Sequence, residues 1–335
     1  MAQKQIDVLA VGNVVTDSFV RLLDDQAKVE KSAQGPRLSM AFATKVPFDY
    51  AEVVPAVGNA SNAAVACAKL ELKSGLVSNV GGDAGGREIL ESLHKSKVDT
   101  RFVHINPSHK SQHHYVLWYK DERTILVRDS VDFEYHWPRF RIIDIPQWIY
   151  FSSVGKTAVE YDDAIVAWLE GHPPVKLALQ PGTFQIQTGA KRLKRLYQRA
   201  EILAVNREEA TAISGGDHSD IHDLLDKLHK LGPKIVVISD GHEGAYASDG
   251  SSRYKMPIYP DPKPPFERTG AGDAFTSTFV AAMVKGADIA GALLWAPINA
   301  MSVVQKVGAQ AGLLTTEQIE HYLRAAPAWY HPKKI

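Results

Sequence analysis

The sequence predicts an α/β protein: a doubly wound, mostly parallel sheet flanked by helices, with a small separate β-sheet beside it. Three observations lead there. Short apolar runs at 148–153, 175–179, 201–206 and 234–239 alternate with helical segments, the pattern of parallel strands covered on both faces. Two polar stretches, 20–57 and 100–137, carry short alternating β pieces, the first broken by Pro36, Pro47 and Pro55. Near the C-terminal end, Gly270-Ala271-Gly272 precedes Phe275, Phe279 and Met283 at four-residue spacing, with Val280 and Val284 beside them, so a glycine loop opens an amphipathic helix. One large domain over 1–19, 58–99 and 138–335, with 20–57 and 100–137 forming the small sheet, accounts for this better than two comparable domains.

With 335 residues and 45% hydrophobic content, the chain can bury a large core. Lys plus Arg and Asp plus Glu both number 38, which gives no global field to gather nucleic acid or an anionic membrane. Any phosphate site must therefore be local. Cys67 is the single cysteine, set among Ala63, Ala64, Ala66 and Ala68, and reads as a small buried residue rather than a nucleophile. A reducing, cytoplasmic setting is expected, because the N-terminus carries no signal-peptide core and no run approaches a membrane span.

Taken in order, residues 6–12 read as a buried strand with a glycine stop, followed by Asp17. Ligands of open α/β sheets collect at the carboxyl ends of strands, so Asp17 is placed to grip a hydroxylated substrate, although such an Asp is also a common turn residue. Gly58, Asn59 and Asn62 cluster before an Ala-rich run and read as the polar start of a helix, with Asn as the cap. A strand from 76 then reaches Gly81-Gly82-Asp83-Ala84-Gly85-Gly86, a turn into a helix near Arg87. The runs 115–119 and 124–127 flank a charged turn and read as a hairpin. Strand 201–206 ends in Asn206 with Glu209 one turn later, a helix cap with an acidic first turn. Strand 234–239 ends in Ser239 and passes through Asp240, Gly241 and Gly244 into a further strand.

The loop at 270–272 is the centre of the argument. Unpaired N–H groups at a helix N-terminus attract an anion, and phosphate is the usual occupant. Asp273 is the odd member, because a carboxylate repels that anion. It reads either as a first-turn residue favoured by the helix dipole, or as a base beside a phosphate, taking a proton from a hydroxyl while the loop amides hold charge on a transferred phosphoryl group. The whole string Thr269-Gly270-Ala271-Gly272-Asp273-Ala274-Phe275 resembles the signature of the ribokinase-like (PfkB) carbohydrate kinase family, and Gly58 with Asn62 resembles its N-terminal signature.

This resemblance spans residues 6 to about 318 and implies a ribokinase-like fold with the small sheet as a lid over the substrate. It makes Asp273 the catalytic base and Gly270, Ala271 and Gly272 the anion hole. Asp17, Gly58, Asn59 and Asn62 would meet the sugar. Asn206, Glu209, Ser239, Gly241, Gly244, Thr269 and Asn299 would serve the nucleotide, Asn299 as a purine contact, with Glu209 holding Mg²⁺ through water. It implies ATP as phosphoryl donor and leaves room for a monovalent cation, K⁺. The implied acceptor is an alcohol, expected to be primary, on a sugar or nucleoside; ribose, fructose, a deoxy sugar acid and a nucleoside all fit. A homodimer through the small sheet is the expected assembly. Val57, Glu267 and Asp240 depart from the family pattern and keep a second reading open, a non-catalytic sugar or nucleotide sensor. His104, His109, His113 and His114 lack ligand spacing for zinc, and residues 191–196 read as a solvated basic helix face.

Overall fold

The structure is a computed structural model that describes residues 5–33, 35–127, 133, 135–155 and 158–335. Its first half contains β1 (Val8–Val11), β2 (Val15–Leu22), β3 (Ala27–Ser32), β4 (Gly35–Met40), β5 (Phe48–Val57), α1 (Asn59–Lys69), β6 (Ser74–Gly81), α2 (Ala84–Lys95), β7 (Asp99–Asn106), β8 (His113–Tyr119) and β9 (Glu122–Leu126). After β10 (Trp148–Phe151) come α3 (Val159–Glu170), β11 (Lys176–Leu179), α4 (Thr183–Thr188), α5 (Lys194–Arg199), β12 (Ile202–Asn206), α6 (Arg207–Ser214) and α7 (Ile221–His229). The chain then forms β13 (Ile235–Ser239), β14 (Ala245–Ser248), β15 (Arg253–Met256), α8 (Ala271–Val284), α9 (Ile289–Val303), α10 (Thr316–Arg324) and β16 (Lys333–Lys334).

Ten strands form the main sheet in the order β16-β15-β14-β13-β12-β11-β10-β1-β6-β7. From β7 to β13 every pairing is parallel, and β14 to β16 add an antiparallel edge. The chain leaves β1 toward β6 and β7, then returns to the other side of β1 at β10 and continues to β13. The order reverses between β1 and β10, and that seam is where such sheets bind ligands.

Successive residues of each strand enter opposite cores. Val8, Ala10, Tyr150, Ala178, Ala204 and Val237 pack with α1, α8 and α9, whereas Leu9, Val11, Ile149, Phe151, Leu177 and Leu203 pack with α3, α5 and α7. Burial on both faces explains why these strands read as continuous apolar runs rather than alternating ones.

The second sheet has the order β5-β2-β8-β9, and β3 pairs with β4 alone. Its limits differ from the expected ones in two places. Residues 15–19 already belong to the small sheet through β2, which places Asp17 opposite Val54 and His114 rather than in the large domain. Residues 100–106, expected in the insertion, belong to β7 at the edge of the main sheet, paired to β6. An edge strand is half solvated, so Arg101-Phe102-Val103-His104-Ile105-Asn106 mixes polar and apolar residues as a small-sheet strand does. The expected insertion also covers 128–132 and 134, which lie outside the described residues. Helix α2 begins at Ala84, earlier than expected, because Asp83 caps it by accepting from Gly86 N–H at 3.0 Å. In the basic run, Leu193 and Leu196 are buried, while Arg192 and Arg195 pair with Asp163 and Glu170 at the surface.

Candidate active site

Helix α8 starts at the carboxyl edge of the main sheet, on the face it shares with α1. Gly270 precedes it at φ 83, and a Cβ there would lie 2.2 Å from the Ala309 Cβ, so both the left-handed turn and the close approach require glycine. The first intrahelical bond runs from Ala274 N–H to Gly270 C=O at 2.8 Å. The amides of Ala271, Gly272 and Asp273 precede it and have no partner within the helix. Around Gly272 a Cβ would meet nothing within 4 Å, so the amides open onto free space.

Asp273 sits in the first turn of this helix, partly buried. Asn62 Nδ2–H donates to its Oδ2 at 2.8 Å, and Gln180 Nε2–H to its Oδ1 at 3.1 Å. Burial pushes its carboxyl up from the ordinary range, and these two hydrogen bonds oppose that shift. Asn62 therefore reaches Asp273 from within α1. Neither Asn caps that helix: its N-cap is Gly58 at φ 110, where a Cβ would lie 2.9 Å from the Asn13 carbonyl oxygen. Asn59 is the first helical residue and half-buried. Gln180 was not singled out from the sequence, although its place one residue beyond β11, at a strand's carboxyl end, is the signal that finds it.

Asp17 lies on β2 of the small sheet. Asp17 is 7% exposed, its Oδ1 stands 3.6 Å from His114 Nδ1, and that oxygen has no hydrogen bond. Burial, and then the charge of Glu267, pushes the Asp17 carboxyl up to about 7. Thr16 Oγ1, Ser78 Oγ and Ser152 Oγ are also buried without a hydrogen-bond partner. Buried polar atoms are normally satisfied, and two of these, Ser78 and Ser152, follow the aligned Val77 and Phe151 on either side of β1 at the carboxyl edge of the sheet. The small sheet is tied to the segment entering α8: Trp118 meets the Phe266 ring edge-on at 4.9 Å, and Arg268 lies 3.5 Å from Asp121.

On the other side of Ala271 and Gly272 opens a cavity of about 300 Å³. Ser239, Gly241 and Gly244 form one wall, and Pro297, Ala300, Met301 and Val304 of the α9 region form the opposite one. Gly244, at φ 95, would bring a Cβ within 2.1 Å of the Met256 carbonyl oxygen, so this wall is bare backbone by necessity. Asn206 and Glu209 form a reciprocal cap: Glu209 N–H donates to Asn206 Oδ1 at 2.8 Å and Asn206 N–H to Glu209 Oε2 at 2.9 Å. Glu209 Oε1 carries no hydrogen bond among the described residues, and burial raises this carboxyl while Asp273 adds to the effect. Asp240, whose role the sequence left open, pairs with Arg207 at 2.5 Å and ties the start of α6 to the turn after β13.

Two expected nucleotide residues are corrected. Asn299 is fully buried: its Nδ2–H donates to Thr278 Oγ1 at 2.7 Å and its Oδ1 accepts from Leu314 N–H at 2.9 Å, so it ties α9 to its surroundings and presents nothing to a purine. Thr269 spends both its N–H and its hydroxyl hydrogen on Glu267 Oε1, at 2.8 and 2.5 Å, and has no donor left for a phosphate. Glu267, fully buried, also accepts from Gly308 N–H at 3.3 Å.

Residues 53–316 match the family described as pfkB family carbohydrate kinase. The ribokinase of Bacillus subtilis is 27% identical over 274 residues, covering 79% of this chain and 87% of that protein. The cytidine kinase of Thermococcus kodakarensis is 30% identical over 273 residues, covering 76% and 87%. Among solved structures, Arabidopsis thaliana ribokinase complexed with ribose and ATP superposes with a TM-score of 0.75 at 21% identity, covering 95% of this chain and 99% of that one. The nucleoside kinase of Methanocaldococcus jannaschii gives 0.74 at 18% identity, covering 96% and 99%. Described residues include no helix long and apolar enough to cross a membrane. The chain belongs to the pfkB carbohydrate kinase family and is a sugar or nucleoside kinase.

Proposed function

We propose that the protein transfers the γ-phosphoryl group of ATP to a primary alcohol of a sugar or nucleoside, with Asp273 as the base. The observation that carries this reading is the position of Asp273. It stands in the first turn of α8, beside three amides with no partner within the helix and the cavity that Ala271 and Gly272 line, and it accepts from Asn62 and Gln180. The acceptor lies under the small sheet, its hydroxyls meeting Asp17 and Asn62, and the nucleotide lies in the cavity against Gly241 and Gly244.

Asp273 takes the hydroxyl proton as the acceptor oxygen bonds to the γ-phosphorus and the bond from that phosphorus to the departing ADP oxygen breaks. The amides of residues 270–273 stabilise the charge on the transferred group, where the helix dipole adds to them. Glu209 suits an outer contact to hydrated Mg²⁺, because one carboxylate oxygen is uncommitted and the buried group gains from a nearby cation. Bound there, magnesium would neutralise phosphate charge. The small sheet, as a lid, excludes water that would otherwise accept the phosphoryl group.

Coupled ADP release is measured with Mg-ATP against free sugars, sugar acids and nucleosides. Asp273→Asn should lower turnover by about 10²–10⁴ while ATP binding survives, since an amide cannot accept the proton. Acceptor-dependent release persisting at wild-type rate in that variant would remove the base assignment, and no release with any acceptor would favour a sensor. For assembly, Val53, Ser18, Tyr115 and Leu126 form one row across all four strands of the small sheet, with Val53, Tyr115 and Leu126 each more than half exposed. A second copy covering this row would give a homodimer, which sedimentation tests directly; Val53→Lys should then shift it to monomer.

A further inference from the structure

We propose that Tyr150, Gln180 and Gln310 are positioning residues that hold the Asp273 carboxylate ready to accept a proton, a reading that rests on Asp273 being the base. The carboxylate is gripped by two amides, Gln180 on Oδ1 and Asn62 on Oδ2. An amide can face a carboxylate either way round, and only its NH₂ end attracts. Both amides here are oriented from behind. Tyr150 O–H donates to Gln180 Oε1 at 2.5 Å, and Gln310 Nε2–H donates to Asn62 Oδ1 at 2.9 Å. Turning over Gln180 would set oxygen against Asp273, and turning over Asn62 would also set its NH₂ against the Gln310 NH₂. Gln310 is itself anchored to the Ala56 carbonyl at 2.7 Å.

The chain of bonds begins deep in the core. Tyr150 is fully buried on β10, on the face shared with Val8, Ala10 and Ala178. Phenylalanine would fill that volume without carrying a polar atom into an apolar layer, so the hydroxyl is explained by Gln180. Burial holds the phenol well above its ordinary range, so its hydroxyl keeps the proton it donates to Gln180. No cation bonds Asp273 among the described residues. The titratable groups that feel its charge are Glu209, at the start of α6, and Tyr150 itself, while Asn62 on α1 and Gln180 after β11 are neutral. The two oriented amides, with the helix dipole, therefore oppose the upward push of burial on this carboxyl, and each oxygen retains a lone pair for the acceptor hydroxyl.

The test is kcat/KM for an acceptor as a function of pH, in the wild type, Tyr150→Phe and Gln180→Leu, with Asp273→Asn alongside. Loss of an N–H donor raises the base's pKa, so the acidic limb should move to higher pH in both variants, further in Gln180→Leu. At neutral pH, kcat should fall about ten- to a hundredfold in Gln180→Leu, the value of one hydrogen bond to a charge, and less in Tyr150→Phe. KM for ATP should change little. If Gln180→Leu does not fold, Gln180→Glu keeps the size and the acceptor for Tyr150 but sets a second carboxylate against the base, and should shift the limb most. Folded variants with an unmoved limb, or with only a lowered melting temperature, would overturn the proposal. An active Asp273→Asn would instead remove the underlying base assignment, so the two failures are distinguishable.

Discussion

Two glycines on either side of Ala271 should fail in opposite ways when each is given a methyl group. At Gly270 the substitution to Ala places an L-residue at φ 83, which costs about 1–2 kcal/mol. It also sets a Cβ 2.2 Å from Ala309 Cβ and 2.4 Å from Ala309 Cα, where Ala309 is buried and must move with its backbone. Overpacking of that kind costs about 1–3 kcal/mol, so Gly270→Ala should lose about 2–5 kcal/mol in all. For a chain of this size the melting temperature should fall by about 3–7 °C. At Gly272 the backbone is helical and a Cβ would meet nothing within 4 Å, so Ala should leave stability unchanged or raise it by about 0.5–1 kcal/mol. Its methyl instead blocks approach to the amides. If phosphoryl oxygens bind there, loss of one charge-assisted hydrogen bond lowers kcat/KM for ATP about ten- to a hundredfold. Differential scanning fluorimetry and coupled ADP release, run on both variants, separate the effects. A stable Gly272→Ala enzyme with wild-type kinetics would mean that no phosphate approaches these amides. An unchanged melting temperature in Gly270→Ala would refute the packing argument.

Asp17 predicts a pH dependence of stability. Its pKa rises from 3.8 to about 7 on folding, so the native chain binds more protons than the unfolded one across that interval, and the Asp17 contribution to stability declines as pH rises toward 7 and then levels. Asp17→Asn should flatten this decline, read as melting temperature of the ligand-free protein from pH 5 to 8; an identical slope would contradict the burial argument. Asn299→Leu should cost about 2–4 kcal/mol in denaturant titration, because Leu314 N–H and Thr278 Oγ1 lose their partners in the interior. The same variant should keep KM for ATP within about twofold, and a selective rise in that constant would restore Asn299 as a purine contact.

The parts of this molecule that local chemistry determines were legible in the sequence. Runs at 148–153, 175–179, 201–206 and 234–239 became β10 to β13 within two residues at either end, because a strand buried on both faces has to be apolar throughout. The start of α8 was legible because the turn, the helix and the carboxylate fall within four residues of one another. Asn299 was misplaced for want of one available observation. Pro297, Ala300, Met301 and Val304 recur at helical spacing and face the cavity, and Asn299 lies off that stripe, toward Thr278.

The grip on Asp273 is a different case. Asn62 and Gln180 are 211 and 93 residues away from it, and each is unremarkable in its own segment. Asn62 arrives on α1, which shares a core with α8, whereas Gln180 is placed by the parallel register that aligns Val77, Val11, Phe151, Leu179 and Leu203 across the sheet. The next residue of each strand then falls on one line at the carboxyl edge, and on β11 that residue is Gln180. A residue of this kind becomes legible only after strand order and register are known, because its chemistry is ordinary and its position is not.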